Sequence, residues 1–220
     1  MAVPHFNPLI FSTEFLFAVI AVVFCFLIYF RTRESYALTK YKGIKYFRDA
    51  FLFFGLSYFV RFLFSLFFLS RIAFDFILPR NMFVPFFILL LGYFSTAGIF
   101  YLVLSLIWKR FKNRNLLILG HGVAVLLSLV SFITKSHLIL LYFQSALLII
   151  AVIMSSAMRG RKKISQIRIL YFLVALLWLI NLWIIDRRKP FSFEMEIFFE
   201  LVSLAAFIAI YYKISKWVKW

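Results

Sequence analysis

Seven polar side chains interrupt stretches that are otherwise apolar: Glu14, Tyr58, Arg61, Tyr93, Gln144, Asn181 and Glu200. A cation, two carboxylates, two carboxamides and two phenols can bind and orient a small polar ligand. They can equally hold helices together. Arg61 is the sharpest of them, because Ser57, Tyr58 and Ser65 lie at i−4, i−3 and i+4 and share its face of a helix. Its natural countercharge is Glu200, flanked on one face by Glu196 and Ser203. Counting about 1.5 Å per residue puts Arg61 and Glu200 at similar depth. Glu14, Gln144 and Asn181 fall near the same level, and Tyr93, Ser95 and Thr96 slightly deeper. Groups of this kind are expensive in lipid and turn toward the interior of a bundle. The expectation is an outward-facing polar cavity with Arg61 and one or two carboxylates in its wall, serving ligand binding or gating. The structural alternative is an Arg61–Glu200 ion pair between two helices, with Gln144 and Asn181 as interhelical hydrogen bonds and Glu14 exposed.

Covalent chemistry has little to work with. There is no phosphate-cradling glycine loop, no H-E-x-x-H, no C-x-x-C and no nucleophile elbow. His5, His121 and His137 are scattered, so no metal or cofactor site is expected, and neither is an enzyme. A seven-helix plan resembles microbial rhodopsins, but the lysine that holds retinal is missing between Pro190 and Tyr212.

The elements that must carry these residues follow from composition. Of 220 residues, 65% are apolar and 32 are Phe, with a mean hydropathy of +0.99. A soluble domain of this size has too little interior for so much apolar side chain. The expected class is an all-α integral membrane protein, a single polytopic domain over residues 1–220. Stretches of about 20 apolar residues occur at 9–30, 46–69, 82–108, 116–134, 137–158, 168–185 and 194–212. The first is too long for a signal peptide and is expected to be retained. Cys25, the sole cysteine, reads as a packing residue inside it. Trp108, Trp178, Trp183, Trp217 and Trp220 read as headgroup-level anchors near span ends. His121 falls in a small and polar row with Ala124, Ser128 and Ser131, and Gly92, Thr96 and Gly98 read as close-packing positions.

The net charge of +17 acquires a direction once the spans are placed. Eighteen of the 25 Lys and Arg residues follow the first, third, fifth and seventh stretches, among them Arg31, Arg33, Lys109, Arg110, Arg161, Lys162 and Lys163. Short basic loops stay in the cytoplasm. The N-terminus is therefore expected outside and the C-terminus inside, in the cell membrane. The partner of this charge is anionic lipid at the cytoplasmic face rather than nucleic acid. The tail Lys213–Trp220 reads as a helical extension at that interface.

Shifting the chain by 130 places Glu14 over Gln144, Arg31 over Arg161 and Arg33 over Lys163; shifting by 120 places Arg48 over Arg168 and Arg61 over Asn181. This suggests a 3+1+3 repeat with the fourth helix as connector. In span count, orientation and basic inner loops the chain resembles the seven-helix sensor modules at the N-terminus of some prokaryotic histidine kinases. It ends at Trp220, so a receptor of this plan would need a separate signalling partner. In length, orientation and repeat it is also similar to SWEET-type sugar transporters, although the first helix lacks the proline expected near its cytoplasmic half. The resemblances imply a receptor or sensor first, a small-solute transporter second, and an accessory membrane protein third.

Overall fold

The computed structural model describes residues 8–74, 80–108, 115–134, 136, 138–157, 162–185 and 193–218, with only the backbone described at some helix ends. All of the secondary structure among them is helical. The helices are α1 (Pro8–Thr39), α2 (Lys42–Phe74), α3 (Arg80–Ile107), α4 (Asn115–Thr134), α5 (Leu138–Ala157), α6 (Lys162–Ile185) and α7 (Phe193–Val218). Six are long and apolar enough to cross a membrane; in α6 the described apolar stretch, Arg168–Leu182, is shorter. The protein is thus a multi-pass helical membrane protein.

The first two helices are longer than apolarity alone predicts. The basic connection expected between residues 31 and 45 is helical on both sides of Lys40 and Tyr41. Charged side chains are good helix formers, and several support these turns locally. Arg31 pairs with Glu34 one turn away at 2.6 Å, and Thr39 donates to the Ser35 carbonyl at 2.8 Å. Arg48 pairs with Asp49 and lies 5.2 Å and 5.5 Å from the ring centres of Tyr29 and Tyr36, joining α2 to the extension of α1. The chain reverses at Lys40, whose φ of 51° is left-handed and whose N–H closes on the Tyr36 carbonyl. This is the usual way for a helix to stop, although glycine is the usual residue there.

Neighbouring helices form a closed ring in the order α1, α2, α3, α5, α6, α7. α4 stands outside it, packed mainly on α3 and lightly on α5. Exchanging α1, α2 and α3 with α5, α6 and α7 reproduces every neighbour pair: α1–α2 becomes α5–α6, α2–α3 becomes α6–α7, and α1–α7 becomes α5–α3. The buried positions follow the same relation. At an offset of 130, Ala18, Ala21 and Cys25 fall on Leu148, Ala151 and Ser155. At 120, Phe51, Phe54, Ser57 and Tyr58 fall on Tyr171, Val174, Leu177 and Trp178. At 108, Ser95, Ile99 and Leu102 of α3 fall on Ser203, Phe207 and Ile210 of α7. The third offset, which residue types alone do not reveal, completes the 3+1+3 arrangement.

Association of helices in lipid depends on close packing more than on hydrophobicity. At Gly98 a Cβ atom would stand 2.6 Å from the Phe54 ring, so the missing side chain lets α3 approach α2. Gly120 does the same for α4 against Phe100 of α3. Cys25 is free and fully buried, as its packing role requires.

Candidate functional site

The middle of the ring holds two polar groupings. The first is built on Gln144 of α5, which is completely buried. Its Nε2 donates to Ser95 Oγ at 2.6 Å and Thr96 Oγ1 at 2.9 Å, and its Oε1 accepts from Trp178 Nε1 at 3.4 Å. A carboxamide here satisfies both ends and ties α3, α5 and α6 together. Thr96, expected both at the polar level and as a close-packing position, is one of its partners.

The second grouping lies across Trp178, whose ring meets that of Tyr58 at 5.7 Å. Tyr58 (α2, 3% exposed), Asn181 (α6, 1%), Ser203 (α7, 0%) and Glu200 (α7, 6%) are all buried. Arg61 is half-buried, its guanidinium 5.7 Å from the centre of the Phe17 ring of α1. Glu200 lies within electrostatic reach of Arg61, Glu14 and Glu196, and Tyr58 within reach of Arg61 and Asn181. Arg61 and Glu200, expected to meet as an ion pair, form no salt bridge. The π face of Phe17 carries part of the charge compensation instead.

Hydrogen bonding separates the two groupings. Asn181 Nδ2 donates to the Leu177 carbonyl at 2.7 Å. The buried Tyr58 hydroxyl has the Asn181 side chain as a neighbour, whereas Ser203 Oγ and Arg61 Nη1 are buried and have no partner among the described residues. Buried polar groups are nearly always paired. Two unpartnered groups, on α2 and α7, together with the buried Tyr58, Asn181 and Glu200 therefore mark this as the candidate site. It can offer donors and a cation to an anionic group, and acceptors to a cationic one.

Of the expected site residues, Tyr58, Arg61, Asn181 and Glu200 come together, with Glu14, half-buried on α1, near Glu200. Gln144 belongs to the satisfied grouping. Tyr93 goes elsewhere: its hydroxyl bonds His121 Nδ1 at 3.0 Å, while Tyr101 bonds Nε2 at 3.2 Å, pinning α4 to α3 beside Phe53. It lies on the α4 face because Ser95 and Thr96, not Tyr93, point at Gln144. Below His121, Ala124, Ser128 and Ser131 form the buried row. Trp178 departs from the headgroup role expected of it. It is 3% exposed and stacks on Phe54 at 4.4 Å. The signal was its i−3 spacing from Asn181, which puts both on the inner face of α6.

Two shallow apolar hollows lie on outer faces, one along α4 from Ile118 to Ile133 and one between Leu63, Leu66 and Phe83. Neither includes the candidate residues. Among the described residues no His, Cys, Asp or Glu cluster could hold a metal ion. Of the lipid-contact residues, Arg33 is exposed and Arg31 is tied to Glu34. Lys162 and Lys163 are described in backbone only, and Lys109, Arg110 and Arg161 lie outside the described residues.

No family model matches the chain, and no solved structure matches it. An uncharacterized protein of Archaeoglobus fulgidus is 32% identical over 223 residues, an alignment that covers 98% of this chain and 97% of that protein. Likeness at this level through all seven helices places the chain in one family with that archaeal protein.

Proposed function

We propose that the protein is a non-enzymatic receptor or sensor of the cell membrane, with its N-terminus outside, that binds a small polar ligand beside Arg61. The observation that carries this is the grouping of buried polar side chains Tyr58, Asn181, Glu200 and Ser203 beside Arg61, in which Arg61 Nη1 and Ser203 Oγ have no partner among the described residues. A polar centre meant only to join helices would resemble that of Gln144, where the carboxamide is bonded at both ends. Arg61 and Glu200 supply the charge recognition, and Asn181 is a secondary contact. The basic end of the bundle faces the cytoplasm and anionic lipid, and the ligand-linked shift of helices passes there to a separate signalling partner. Thermal-shift titration of the purified protein against a collection of small solutes tests the reading. A saturable stabilisation that Arg61→Ala and Glu200→Ala remove is the expected outcome. An identical profile in the wild type and both folded variants sinks it.

The twofold relation between the halves of the ring favours a second reading, a small-solute transporter, because transporters are commonly built from internal repeats around a midplane site. Solute counterflow into proteoliposomes, abolished by Arg61→Ala, would distinguish it; a receptor binds without moving its ligand.

A further inference from the structure

The ion pair expected between α2 and α7 is present in its parts and is not made. Arg61 Nη1 is buried without a partner among the described residues. Glu200, 6% exposed, forms no hydrogen bond or salt bridge among them. The two lie within electrostatic reach of each other. Glu200 stands about 9 Å, six residues at 1.5 Å each, inside the start of its apolar span at Glu194. In so apolar a setting a guanidinium and a carboxylate that can meet gain strongly by meeting. Instead the Arg61 guanidinium rests over the Phe17 ring of α1. The other groups that face Glu200 do not take its place. Glu14 on α1 and Glu196, one turn back on α7, are carboxylates and would repel a third. On α6, Asn181 is neutral and answers to Tyr58 and the Leu177 carbonyl. The smallest cation that removes the conflict is a proton on Glu200 itself, since an unpaired buried carboxylate neutralises rather than stay charged.

We infer that Glu200 is a proton-binding site, and that its proton selects the partner of Arg61. With the Oε–H bond intact, Glu200 is neutral and Arg61 stays on Phe17, tied to α1. When that bond breaks, the proton leaves to water at the Glu196 end of α7 and the electron pair stays on Glu200. The carboxylate so formed draws Arg61 off Phe17 and ties α2 to α7. Phe17 and Glu200 are thus alternative seats for one cation, and proton uptake exchanges them. This goes beyond the ligand-binding reading and holds for a receptor or a transporter, because the groups that hold the proton all belong to the chain.

Infrared difference spectra of the full-length protein in nanodiscs, stepped from acid to alkaline pH, test this without any ligand. One carboxylic-acid carbonyl band should be lost as pH rises, in step with a change in the guanidinium bands of Arg61. Glu200→Gln should lack both changes, and Arg61→Lys only the second. Glu200→Asp should keep the acid band at a displaced pH. Glu34→Gln, at the exposed pair with Arg31, should leave both changes as they are. Phe17→Leu keeps every titrating group but removes the seat for Arg61 that the protonated form uses. It should move the loss of the band toward acid by roughly half a pH unit, the worth of one cation–π contact. An acid band that persists in Glu200→Gln puts the proton elsewhere and overturns the site. A guanidinium change absent from the wild type, or a band unmoved in Phe17→Leu, overturns the exchange. A carboxylate signature at every pH that responds to sodium instead puts a metal cation in that place and overturns the proton. These outcomes do not depend on solute binding, so the ligand-binding reading stands or falls separately.

Discussion

The Gln144 carboxamide is bonded at both ends, Ser203 Oγ has no partner among the described residues, and their replacement should have different consequences. Gln144→Leu deletes three interhelical hydrogen bonds and should cost about 1–2 kcal/mol, since such bonds in membranes average well under 1 kcal/mol each. Ser203→Ala should cost nothing. Equilibrium unfolding in mixed detergent measures both, and a Gln144→Leu variant as stable as the wild type would contradict the role given to the carboxamide. At this scale the sequence showed the cluster but not its inner division. Shared helix faces brought Tyr58, Arg61, Asn181 and Glu200 to one level, and the structure keeps them together. Spacing along one helix does not say which atoms on another helix answer. Arg61 meets the Phe17 ring rather than the Glu200 carboxylate, and Tyr93 serves His121 rather than the centre.

Among the helices, the closest approach that can be tested by substitution is α2 against α3 at Gly98. Gly98→Ala should lower the unfolding temperature by several degrees, because its Cβ would stand 2.6 Å from the Phe54 ring. Phe54→Leu should recover part of the loss in the double variant, a coupling that independent sites would lack. The turn at Lys40 gives a second handle. Lys40→Gly relieves a left-handed conformation that disfavours a side chain, and should be neutral or stabilising by up to about 1 kcal/mol; Lys40→Val should destabilise. Circular dichroism melting separates the pair. The apolar runs located all seven helices because lipid demands them at fixed length. The extensions of α1 and α2 escaped because nothing apolar marks them: they are held by Arg31, Glu34, Thr39 and Arg48, which read equally well as loop.

For the whole molecule, the distribution of cations predicts orientation. Reporter fusions at Lys112, Lys162 and Lys216 should be active on the cytoplasmic side, and those at Phe76 and Lys189 on the outer side. Cytoplasmic activity at Phe76 or Lys189 would reverse the arrangement. The ring order was half legible, since the sequence offered two of the three offsets that relate its halves, and the third appeared only with the buried faces of α3 and α7. The length of α1 has a mechanical consequence of its own. At 32 residues it is a rod of about 48 Å, against a hydrocarbon layer of about 30 Å. It is therefore longer than that layer is thick, and its C-terminal end is braced by α2 through Arg48. Phe17, under Arg61, sits near the other end of the same rod. A rigid tilt of about 5° about that end would sweep the tip at Thr39 through roughly 3 Å at 1.5 Å per residue, a lever arm long enough to turn a small adjustment around one buried side chain into a displacement that another protein can feel.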